Sequence, residues 1–155
     1  MIEDLLDIAK SLAEREKGRP KHTSLRRAVS TAYYALFHAV AERCAGTLIT
    51  FGGEGSDWET YSLVYRTLDH VSAKKVFTQD PLGRVLGPQV ARIGAIFVRL
   101  QDARITADYD PKPFRLGRDE VLELVAQARE GSELMNKLPN DQARRLAAHL
   151  IAKRR

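Results

Sequence analysis

The sequence predicts an all-α fold, an antiparallel up-and-down bundle of about five to six helices, and three observations lead there. Apolar residues recur at helical spacing through most of the chain. No alternating strand pattern competes with them. The segments are separated by mostly short connections punctuated by glycine and proline, which favours antiparallel packing of neighbours.

The first helix rests on Ile2, Leu5, Leu6, Ala9, Leu12 and Ala13 and ends before Gly18-Arg-Pro20. A second, from about Thr23 to Arg43, presents Leu25, Ala28, Val29, Ala32, Leu36, Ala39 and Val40, with Thr23 or Ser24 available as its N-cap. A glycine-rich connection from Gly46 to Gly55, expected to be mobile, precedes a third helix marked by Trp58, Tyr61, Tyr65 and Leu68. The stretch from Val71 to Pro88 contains Asp80-Pro-Leu-Gly83 and Gly87-Pro88 and reads as a loop. From Gln89, the residues Val90, Ile93, Phe97 and Leu100 define a fourth helix that leads into Arg104 and is stopped by Pro111 and Pro113. A fifth runs from about Arg118 to Met135 on Val121, Leu124, Val125 and Ala128, and a sixth follows Pro139 with Asn140 as its N-cap.

A chain of 155 residues can bury one continuous core, and 44% hydrophobic with 29% charged residues is a globular composition. No run is apolar enough for a membrane span, and the acidic start Met1-Ile-Glu-Asp-Leu-Leu-Asp7 lacks the chemistry of a signal peptide. The single cysteine, Cys44, rules out an internal disulfide, so a cytoplasmic location is expected. Asp57, Asp69, His70, Asp108 and Asp110 have no metal-site spacing, and neither a metal nor a cofactor is expected.

The net charge of +5 is unevenly placed: Arg15, Lys17, Arg19, Lys21, Arg26 and Arg27 face Glu16 alone between residues 15 and 27. Such a cluster can attract a phosphate backbone, or it is simply a solvated connection. The terminal Lys153-Arg-Arg155 carries less weight, because basic residues at a helix C-terminus complement its dipole.

Two constellations carry chemistry. On the second helix Arg27, Thr31, Tyr34 and His38 fall at spacings of four, three and four, along one stripe away from the Leu25-Val29-Leu36 side. The stripe offers a cation, two hydroxyls and an imidazole to an anionic ligand; the alternative is that this helix is central and Tyr34 and His38 pack against neighbours. At the end of the fourth helix, Arg104 and Asp108 stand four apart, with Tyr109 and Asp110 beyond them. They form either an ordinary helical ion pair, about 0.3–0.5 kcal/mol if exposed, or a phosphate fork with a tyrosine donor beside it.

The run Leu25-Arg-Arg-Ala-Val-Ser-Thr-Ala-Tyr-Tyr-Ala-Leu-Phe-His38 resembles the second-helix signature of bacterial HEPN proteins. The segments Tyr65 to His70, Phe97 to Gln101 and Arg104 to Pro111 resemble later segments of the same superfamily, in order. The resemblance implies one helical domain over residues 1–155 that homodimerises and engages RNA or a nucleotide. In toxin members it implies a metal-independent ribonuclease encoded beside a nucleotidyltransferase antitoxin.

Catalytic members follow an arginine with a histidine, four to six residues intervening. Arg104 matches the arginine, but the corresponding positions hold Tyr109, Asp110 and Pro111. The family pattern assigns Arg104 alone to the catalytic centre; Asp108 and Tyr109 are read beside it, with the missing imidazole expected from another helix, from His38 or from His70 with its helical neighbour Arg66. Tyr109 is also the residue in the place where the nucleotidyltransferase partner adds adenylyl groups. A different class of reading, a non-catalytic homodimeric interaction protein, has the same residues holding a helix end and an interface together.

Overall fold

The computed structural model describes residues 1–49, 57–78 and 81–152. Among them are eight helices and no strand: α1 (Ile2–Ala13), α2 (His22–Leu48), α3 (Trp58–Thr67), α4 (His70–Thr78), α5 (Pro81–Leu86), α6 (Pro88–Tyr109), α7 (Arg118–Lys137) and α8 (Asn140–Ile151). The protein is an all-α helical bundle. None of these helices is long and apolar enough to cross a membrane.

α2 is its axis, packing against α1, α3, α6, α7 and α8. All seven of its expected core positions are buried, and so are Ser30, Tyr33, Ala35, Phe37, Ala41 and Cys44. The small residues that alternate with large ones along α2 let five neighbours approach one helix. Gly131 of α7 marks a close approach: a Cβ there would stand 2.9 Å from Leu36 Cδ1 and 3.3 Å from Ile96 Cγ2. The predicted core residues of α6 and α7 are buried as well. α3 is different, for it buries none of its residues and leaves Trp58 64% exposed.

The segment from Val71 to Pro88 corrects the loop reading, because it holds α4 and α5. The prolines there stand at helix starts, α5 on Pro81 and α6 on Pro88, where a missing N–H costs nothing, while Gly83 lies inside α5 where a Cβ would stand 2.8 Å from Ala91 Cβ. Gly87 between them takes φ +92°, a conformation that favours glycine. Each short helix buries a narrow seam, Ala73 in α4 and Leu82 with Leu86 in α5, too brief to show a sustained period.

The helix starts are corrected too. Lys21, not Thr23 or Ser24, is the N-cap of α2, because Ser24 Oγ donates instead to Glu16 Oε1 at 2.8 Å. Asn140 is the first residue of α8 rather than its cap, and its Oδ1 accepts from Arg43 Nη2 at 2.8 Å. α2 also continues through Gly46 to Leu48 with Ile49 as its C-cap; the rest of the expected mobile connection, residues 50–55, lies outside the described residues, as does Lys153-Arg-Arg155.

The basic α1–α2 connection is pinned from across the bundle. Arg118 donates to the carbonyls of Ala13 at 3.2 Å, of Gly18 at 2.8 Å and of Glu16. The Ala13 carbonyl is left over where α1 ends and those of Glu16 and Gly18 belong to the connection, so one guanidinium both caps a helix and sets the path of the connection.

Candidate ligand-binding groove

α2 and the last turns of α6 run side by side, and the open groove between them has a volume of about 580 Å³. It is lined by Thr23, Arg26, Arg27, Ser30, Thr31 and Tyr34 from α2 and by Arg104, Ala107, Asp108 and Tyr109 from α6. The two constellations read from the sequence thus share one surface. Three arginines face one carboxylate there, which leaves the groove net positive.

Arg104 is its centre. Its Nη2 donates to the Tyr34 hydroxyl at 2.8 Å and to the Tyr109 hydroxyl at 3.4 Å, and its Nε lies 2.8 Å from Asp108 Oδ2. Its Cζ stands 5.4 Å from the Tyr34 ring centroid and 5.2 Å from that of Tyr109, within cation–π range of both. Burial pulls the guanidinium pKa down, but Tyr34, Tyr109 and Asp108 outweigh it and raise the value, so Arg104 is always charged. The Arg104 and Asp108 side chains are only 12% and 20% exposed, so this is not the exposed helical pair that spacing alone describes. Ser30 Oγ donates to the other carboxylate oxygen of Asp108.

The remaining arginines differ in role. Arg26 is committed to α6: its Nη1 donates to the carbonyls of Ala107 at 2.7 Å and Thr106 at 3.2 Å, and its Nη2 to that of Lys112 at 2.6 Å. Arg27 is exposed and makes no hydrogen bond or ion pair among the described residues. It is the cation available to a ligand.

No histidine lines this groove. His38 Nδ1 is hydrogen-bonded to the Tyr65 hydroxyl, with the two rings stacked 6.0 Å apart. His70 sits against Phe37 at 4.1 Å, and its Nδ1 lies 2.6 Å from the Tyr33 hydroxyl. Tyr33 is fully buried and burial raises its pKa, so its hydroxyl stays protonated in the hydrogen bond it shares with His70 Nδ1. Burial lowers the pKa of both imidazoles, and the nearby Arg104 charge lowers that of His70 further. Both rings touch Tyr34, at 6.4 and 5.9 Å, so each stands one side chain away from the groove.

Arg66 is exposed in the last turn of α3 and does not line the groove. It is not a helical neighbour of His70, since α3 ends at Thr67 and α4 begins at His70. Asp69 caps that second start, accepting from Ser72 N at 2.8 Å, as Asp57 caps α3 by accepting from Thr60 N at 2.8 Å. These carboxylates are therefore helix caps, and no cluster of three or more potential metal ligands occurs among the described residues.

Sequence reasoning missed Ser30, although it lies three residues after Arg27 and four before Tyr34, on the face they share. Nothing local signals the Arg26 grip, because its partners are carbonyls about eighty residues away.

Comparison with known proteins adds no relative: no family model, no curated protein and no solved structure matches the chain.

Proposed function

We propose that the chain is a HEPN-like RNA- or nucleotide-binding protein, the toxin-like partner of a nucleotidyltransferase antitoxin, with a degenerate ribonuclease motif. The observation that carries this reading is the open, net-positive groove in which Arg104 is held rigidly and Arg27 is left unpaired among the described residues. Guanidinium groups bind phosphate through paired donors, and a preset geometry reduces the ordering cost of doing so. The lack of an imidazole in the groove favours binding over cleavage. Attack by a ribose 2′-hydroxyl needs a base of near-neutral pKa, the role an imidazole ordinarily fills.

Fluorescence anisotropy with a labelled single-stranded RNA tests the proposal. Binding should weaken with added salt, and Arg27→Ala should lower affinity at low salt and make the salt dependence shallower by about one released counterion. Unchanged affinity and slope in Arg27→Ala would remove the groove from consideration. Expression with and without the neighbouring gene, scored for growth and RNA integrity, tests the toxin assignment separately. Growth arrest with intact RNA supports a toxin that does not cleave RNA, and unimpaired growth without the neighbour argues against any toxin.

A second reading, a structural role in a homodimeric interaction protein, is favoured by one feature: Asp108, itself held by Ser30, already compensates Arg104 from within. On that reading Arg104→Ala lowers the melting temperature and leaves RNA affinity unaltered.

A further inference from the structure

Tyr109 is the last residue of α6, and two-thirds of its surface is open to water (67% exposed), so it contributes little to the core. An exposed tyrosine at a helix end ordinarily samples several rotamers. This one is fixed from its inner side by a single guanidinium, which lies over its ring at 5.2 Å and donates to its hydroxyl at 3.4 Å. Arg104 is itself immobilised by Tyr34 and Asp108, each 2.8 Å away. Arg104 thus lies within cation–π range of both Tyr34 and Tyr109, and most of Tyr109 remains open to solvent at the edge of the groove.

We propose that this outer face of Tyr109 is a stacking platform for a nucleobase, purine in preference to pyrimidine, and that it makes the groove selective for nucleotides over bare phosphate. The inference rests on the groove reading above and adds the part of the ligand that the arginines do not touch. Arg27 and the hydroxyls of Thr23 and Thr31 suit an anionic end, but phosphate alone would leave Tyr109 idle. A cation held against one face of a ring draws electron density from it, so the opposite face suits a large polarisable partner. Stacking is sequence-tolerant yet stronger for larger rings, which gives the purine bias.

Three labelled oligomers of equal length test this with the full-length protein: oligoadenylate, oligouridylate and an abasic phosphodiester. The parent protein should bind oligoadenylate more tightly than oligouridylate, and the abasic chain most weakly. Tyr109→Ala should lose roughly tenfold on oligoadenylate, erase the purine bias and leave the abasic chain unaffected, whereas Tyr109→Phe should keep both affinity and bias. An equal loss on the abasic chain would mean that Tyr109 only props Arg104 and would overturn stacking, as would a parent protein indifferent to the base. Arg27→Ala reads the other half: it should weaken all three oligomers alike. If it weakens none, the groove itself is wrong and stacking falls with it; if it weakens all three while Tyr109→Ala changes nothing, stacking alone fails.

Discussion

Asp108 is where the two readings of the groove meet in one side chain. Its carboxylate accepts from Ser30 on one oxygen and faces Arg104 Nε on the other, thereby cancelling part of the positive charge beside it. Asp108→Asn keeps an acceptor for Ser30 and removes the negative charge. RNA affinity at low salt should rise severalfold, while stability should fall by about 1 kcal/mol, measurable by urea denaturation. No gain in affinity would place Asp108 outside the ligand's field.

The imidazoles allow a separate check. Burial holds His38 and His70 below their ordinary pKa, so the folded state binds protons less readily than the unfolded chain. Their stabilisation is complete above the unfolded value and is lost as pH falls towards the depressed folded values. The melting temperature should therefore drop as pH falls from about 7 into the acidic range below 6.5, the reference value of both groups. A His38→Gln, His70→Gln double variant should show a shallower drop, and an equal one would assign the effect to other groups.

Between helices the decisive contacts are those of single residues with backbone. Gly131 lets α7 meet α2 and α6, and Gly131→Ala must displace Leu36 and Ile96, at a cost of about 1–3 kcal/mol seen as a lower melting temperature. A neutral result would show that the interface yields easily. Arg118 works differently, holding carbonyls where α1 ends. Arg118→Ala should leave most of the bundle intact while amide exchange quickens between residues 14 and 21; protection unchanged there would deny it the anchoring role. Local periodicity made α1, α2, α3, α6, α7 and α8 legible. α4 and α5 were not, because nine and six residues burying one or two side chains leave no pattern to count. Proline and glycine at their ends then read as breaks in a loop rather than as boundaries.

Across the whole molecule, one long helix touching five others ties the bundle together. Leu36→Ala, at that axis, should cost about 2–5 kcal/mol and shift a single cooperative transition rather than split it, as calorimetry would show. The fold class was readable because α2 and α6 carry unbroken apolar patterns. The candidate site was readable in its parts, since Arg27, Thr31, Tyr34, Arg104, Asp108 and Tyr109 stood out by chemistry and spacing. What the sequence did not disclose was which parts meet. The facing residues of the groove stand about eighty positions apart in sequence, as Arg26 and Ala107 do, and His38 and His70 turn to Tyr65 and Tyr33. Such choices depend on how helices are rotated against each other, which no local spacing encodes.

Arg26 closes the account of that groove in a way its charge does not suggest. By gripping the carbonyls of Thr106, Ala107 and Lys112, it ties one wall of the cleft to the main chain of the other. The width of the cleft is thus a property of backbone hydrogen bonding and does not wait for an occupant. Ligands of different fit would then meet the same opening at similar rates and differ chiefly in how long they stay.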